Sequence, residues 1–84
     1  LGWAYYQMGR YEDALRELKR AAELANEDAV ILEHYARALL KLNRRDDAIK
    51  ALHRARDSAP DSEDKEIGVR VESLLRELGA EPAK

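Results

Sequence analysis

The chain has 84 residues, of which 45% are hydrophobic and 38% charged, and it contains no cysteine. That is the length of one small domain and too apolar a composition for a disordered one. Its 15 basic and 17 acidic residues leave a net charge of −2. This near-balance argues against a nucleic-acid binder or a polybasic membrane patch held by bulk charge. No apolar run approaches the ~20 residues that cross a bilayer, so no membrane insertion is expected. Without cysteine there is no disulfide, no thiol nucleophile and no Cys-based zinc site.

Glycine and proline are few, and they punctuate stretches of Ala, Leu, Glu, Lys and Arg, all good helix formers. Five helical segments are predicted. The first runs from about Leu1 to Met8, and the second from about Tyr11 to Ala25, with Ala14, Leu15, Leu18, Ala21, Ala22 and Ala25 on one stripe. The third, about Ala29 to Leu42, carries Leu32, Tyr35, Ala36, Leu39 and Leu42 at helical spacing. The fourth, about Arg45 to Ser58, repeats the stripe with Ala48, Ile49, Leu52, Ala55 and Ala59. The fifth, Glu63 to Leu78, places Ile67, Val71, Leu74, Leu75 and Leu78 on one face. Asp61 or Ser62 is its expected N-cap and Gly79 its stop. The turns hold only two to four residues, which forces consecutive helices to pack antiparallel. Gly9 and Asn43 occupy equivalent turns, and both tolerate a left-handed backbone.

Comparing the sequence with itself at a shift of 34 gives 8 identities in 28 pairs, where chance gives about two; a fixed period of this size means stacked helical hairpins. The identities pair Ala4 with Ala38, Arg10 with Arg44, Asp13 with Asp47, Ala14 with Ala48, Leu18 with Leu52, Arg20 with Arg54, Ala21 with Ala55 and Ala25 with Ala59. Small residues at Gly2, Ala14, Ala21, Ala36, Ala48 and Ala55 would let helix axes approach, while Tyr5, Leu18, Leu39 and Leu52 fill the remaining space.

These positions resemble the tetratricopeptide repeat. The first unit offers Leu1-Gly2, Tyr5, Gly9, Tyr11, Ala14, Leu18 and Ala21; the second offers Leu32, Tyr35-Ala36, Leu39, Ala48, Leu52, Ala55 and Pro60. The chain departs from the family pattern at Asn26, where proline is usual, and at Leu32 and Asn43. The resemblance implies an all-α fold of antiparallel helical hairpins stacked in a right-handed solenoid. Residues 1–28 would form one unit, truncated at its N-terminus, and residues 29–62 a second. Residues 63–79 would form a capping helix whose polar side (Asp64, Lys65, Glu72, Arg76) ends the stack, and residues 80–84 a frayed tail. Because the chain begins at Leu1 rather than Met, it is read as part of a longer protein. The wording Leu-Gly-Trp-Ala-Tyr-Tyr resembles bacterial members, leaving cytoplasm and periplasm both open as compartments.

Candidate chemistry is thin. His34 and His53 lie in different helices with no metal-ligand spacing around them, so no metal and no cofactor are expected. The acidic pairs Glu12-Asp13 and Asp46-Asp47 sit at helix starts, where the helix dipole accounts for them. No phosphate loop or Ser nucleophile motif occurs, and the chain is not expected to be an enzyme. Six cations between Lys41 and Arg56 are read as a solvated face rather than an RNA surface, so no nucleic-acid partner is expected.

In the family the first helix of each hairpin lines a concave groove. Carried over residue by residue, the resemblance places Trp3, Tyr6 and Gln7 beside His34, Arg37, Leu40 and Lys41, with Val30 and Glu33 nearby. Aromatics with Arg on such a surface are the usual anchors of a peptide site. Trp3 has an equally good second reading, in which it packs on whatever precedes Leu1. At the positions that clamp chaperone C-termini in some members this chain holds Trp3, His34, Asp64 and Gly68, so that specificity is not expected; Arg37 and Lys41 would at most favour acidic ligands. The implied function is a non-catalytic protein-interaction module that holds a peptide or partner helix. The alternative is a structural segment of a longer scaffold, self-associating through an apolar edge at Leu1 and Tyr5.

Overall fold

A computed structural model describes residues 2–25 and 27–79. Among these, the chain forms α1 (Gly2–Gln7), α2 (Tyr11–Ala25), α3 (Ala29–Lys41), α4 (Arg45–Ser58), a 3-10 turn (Ala59–Asp61) and α5 (Ile67–Glu77), with no strand. Neighbouring helices pack in sequence, α1 on α2, α2 on α3, α3 on α4 and α4 on α5. This is the all-helical stack of hairpins that the repeat implies. Leu1, Asn26 and the tail from Ala80 to Lys84 lie outside the described residues.

The apolar stripes become the core. Leu32, Ala36, Leu39, Ala48, Ala51, Leu52 and Ala55 from α3 and α4 join Ile67, Val71 and Leu75 from α5 in one cluster, nearly all without solvent contact. A second cluster joins α1, α2 and α3 through Ala14, Leu18 and Ala38, with Tyr5 and Tyr6 packed against it. Each fully buried Leu or Ile contributes about 1.5–3 kcal/mol of transfer free energy. Ala14 and Ala48, the paired small residues of the two units, are both completely buried. Gly2 shows why small residues recur: a Cβ there would come within 2.7 Å of Leu18 Cγ and 3.2 Å of the Leu18 backbone nitrogen.

The turns carry the backbone the sequence anticipates. Gly9 has φ +80° and Asn43 φ +62°, both left-handed, and Gly79 ends α5 at φ +67°. Glu27 is left-handed as well, at φ +69°, which its side-chain type gave no reason to expect. Its carboxylate is held by Arg54, whose Nη2 donates to Oε2 at 2.7 Å. Asp28 then caps α3, Oδ1 accepting from the amides of Val30 and Ile31 at 3.0 and 3.2 Å.

The one misplaced boundary is the start of α5. The helix begins at Ile67 rather than Glu63, and neither Asp61 nor Ser62 caps it. Asp61 is drawn into the 3-10 turn behind Pro60. Two short polar side chains then engage the backbone in succession: Ser62 Oγ accepts from the Asp64 amide at 3.1 Å, and Asp64 Oδ1 from the Glu66 amide at 2.9 Å. Such local bonds offer the chain an alternative to helix. At the other end, Arg45 donates to the Leu78 carbonyl and ties the start of α4 to the end of α5.

Candidate interaction surface

The residues drawn from the family pattern fall on α1 and α3, and three of them meet ring to ring. Tyr6 stacks on Trp3 with centroids 4.5 Å apart and planes 10° from parallel. His34 of α3 stacks on the same indole at 3.9 Å and 14°. Two rings this close to one indole cannot share a face without overlapping, so Trp3 is sandwiched between Tyr6 and His34. It therefore joins α1 to α3 and presents no open face to a ligand. Neither reading of Trp3 from the sequence foresaw this arrangement.

Tyr6 continues the row by meeting Tyr11, the first residue of α2, edge-on at 5.3 Å. Lys41 is exposed and places its Nζ 5.7 Å from the Tyr11 ring centroid, within the range of a cation–π contact. Gln7 is exposed at the end of α1, and Leu40 is half-buried against the main core, so its role is packing first. Tyr11 is the member of the row that the sequence reading did not place on this surface, because it starts a second helix rather than a first.

Arg37 is not a free cation. Its Nε donates to Oε2 of Glu33, one turn earlier. Glu33 is only 2% exposed, the sole charged residue buried among the described residues, and its other oxygen lies 3.7 Å from His34 Nε2. The i,i+4 spacing of the pair is legible in the sequence; the burial of Glu33 is not, because it arises only from tertiary packing. His34 is half-buried, and this burial pushes its imidazole below the ordinary value. Glu33 and Asp28 oppose the shift, and Arg37 and Arg70 reinforce it. Arg70 reaches this neighbourhood from α5 while pairing with Asp64. The acid-binding capacity expected of Arg37 is thus already met inside the chain by Glu33.

Tyr5, expected at a bare apolar edge, is half-buried against Ala14, Leu18 and Ala38 and is covered by the Arg10 guanidinium at 4.8 Å. Three surface hollows of about 710, 590 and 400 Å³ are lined by none of Trp3, Tyr6, Gln7, His34, Arg37, Leu40 and Lys41. The largest is rimmed by carboxylates, but Asp28 caps α3, Glu27 pairs with Arg54 and Asp64 with Arg70. Among the described residues no three His, Cys, Asp or Glu side chains are placed to hold a metal. No helix of the described residues is long and apolar enough to cross a membrane.

The family comparison agrees with this architecture. The profile of the tetratricopeptide repeat matches residues 5–66. Neither a curated protein nor a solved structure gives a match.

Proposed function

Because the chain belongs to the tetratricopeptide repeat family, whose members are non-catalytic repeats that mediate protein–protein interaction, we propose that it displays the α1/α3 face to a peptide or partner helix. The observation that carries this reading is the Tyr6–Trp3–His34 stack. It locks two successive first helices into one surface and fixes the positions of the groups around it. Rigid aromatic surfaces lose little entropy on binding, which favours them as docking sites. Contact to the partner falls to the outward groups, Gln7 and Lys41, and to the free edges of Tyr6 and His34. With Arg37 neutralised by Glu33, the surface is better suited to aromatic, proline-bearing or amide-rich segments than to a strongly acidic one.

The test is a peptide selected from a display library against the 84-residue chain, measured by fluorescence anisotropy. Gln7→Glu and Lys41→Glu, both at exposed positions, are expected to weaken it at least ten-fold together while leaving the thermal melt unchanged. Selected peptides indifferent to both substitutions would contradict the reading.

A further inference from the structure

We propose that His34 is a proton-operated latch between α1 and α3: the neutral imidazole holds Trp3 in the stack, and the protonated ring leaves it for water. The latch regulates the α1/α3 face, and so this role rests on that face being the partner's docking surface.

The geometry makes this ring the switchable part of the seam. The backbone of α1, six residues long, packs along α2. Its tie to α3 is made by side chains: Tyr5 and Tyr6 against the cluster that includes Ala38, and the His34 imidazole 3.9 Å from the Trp3 indole. Of these groups only the imidazole changes charge near neutral pH. Its side chain is 22% exposed, so the ring has a way out to solvent without any helix unwinding.

The charges around the ring decide which form the stack accepts. On its own helix, Glu33 lies 3.7 Å from Nε2, too far for a hydrogen bond, and the other Glu33 oxygen is taken by Arg37. Arg37 and, from α5, Arg70 act on the ring as positive charges, although Arg70 is paired with Asp64. Glu33 and Asp28 oppose them, but Asp28 is committed to the amides of Val30 and Ile31. From α1 come only the neutral rings of Trp3 and Tyr6. An indole face attracts an imidazolium, yet burial is the largest influence on this ring and works against the charge. The stacked imidazole therefore takes up a proton less readily than one in water. By linkage, a proton that binds the free ring better shifts the population toward the free ring. Departure of His34 opens one face of Trp3 and uncouples the two first helices.

The experiment takes the 84-residue chain from about pH 7.5 to about pH 5. It reads the His34 Cε1 proton by NMR beside the emission of Trp3, the sole tryptophan in the sequence. His34 is expected to titrate below the ordinary value of about 6.5. The Trp3 emission maximum should move to longer wavelength with the same midpoint, while the amides of α4 hold their positions. His34→Phe keeps a ring for Trp3 but takes no proton, and should abolish the transition; His53→Asn should leave it in place. A peptide selected at the higher pH should bind the native chain at least about three-fold more weakly at the lower one, and His34→Phe equally at both.

Quenching of Trp3 without a wavelength shift marks an imidazolium held in the stack, and would overturn the proposal. So would a His34 midpoint at or above the ordinary value, a transition that survives in His34→Phe, or a wavelength shift that coincides with loss of α4. Peptide affinity that ignores pH while Trp3 is released would overturn the regulatory role. A chain that binds no selected peptide at either pH refutes the α1/α3 docking surface instead, and the Trp3 titration then decides the latch by itself.

Discussion

Arg10 and Arg44 stand 34 positions apart and make the same backbone hydrogen bond. The Arg10 amide donates to the Tyr5 carbonyl at 2.9 Å, and the Arg44 amide to the Leu39 carbonyl at 2.9 Å. The residue before each, Gly9 or Asn43, donates to Tyr6 or Leu40 and is left-handed. Both helices thus end in the same Schellman motif, and the period of the sequence is a period of backbone geometry.

That equivalence makes a paired prediction. A β-branched residue in the left-handed region is disfavoured by roughly 1–2 kcal/mol, so Gly9→Val and Asn43→Val should each lower stability by about that amount. Asn43→Gly should change it by only a few tenths. Urea denaturation midpoints check all three.

Gly2→Ala tests the close approach of α1 to α2. Alanine normally stabilises a helix relative to glycine by up to about 1 kcal/mol. Here the added Cβ meets Leu18 at its branching carbon and its backbone nitrogen, and overpacking of this kind costs about 1–3 kcal/mol. The clash outweighs the propensity, and Gly2→Ala is expected to be less stable in equilibrium unfolding.

Arg37→Ala should destabilise the fold far more than a typical surface substitution. It leaves the buried Glu33 carboxylate without its guanidinium partner, a loss of about 3–5 kcal/mol for a fully buried pair. Arg37 is itself about one-third exposed, so the lower end applies. Thermal melting of Arg37→Ala beside Glu33→Gln/Arg37→Ala separates the two effects: the double variant should recover part of the loss.

The pH dependence has a readable sign. His34 is held neutral by burial, so the folded chain binds fewer protons than the unfolded one near the ordinary histidine value of about 6.5. Its stabilising contribution is complete above that value and is lost as the pH falls through the lower folded value. His34→Asn should flatten the fall in melting temperature between about pH 7 and pH 5. Arg16 and Arg10 hold Asp13 below the usual carboxylate range, Arg54 does the same to Glu27, and Arg70 to Asp64. Their contributions are lost only under more acid conditions.

Most of the fold was legible in the sequence because it is periodic. The stripes through Leu18, Leu39, Leu52 and Val71 fixed the buried faces, and Gly9, Asn43 and Gly79 marked helix ends by a conformational need that residue type reveals. The start of α5 was not legible, because Ser62 and Asp64 engage successive backbone amides and no periodicity registers that competition. On the candidate surface, Trp3 and His34 were placed on the right helices. Their stacking depends on how α1 and α3 come together, and the burial of Glu33 on tertiary packing, neither of which spacing along one chain encodes. Glu27 is the plainest miss, a left-handed residue of a type that rarely adopts that backbone.

The account rests most heavily on the α1/α3 face being where a partner binds. Chemical-shift mapping of a library-selected peptide on the 84-residue chain tests it directly. The account predicts shifts concentrated at Gln7, His34, Arg37 and Lys41, together with quenching or a shift of Trp3 emission as the stack is perturbed. Shifts confined to the outer sides of α2 and α4, with Trp3 emission unchanged, would contradict it.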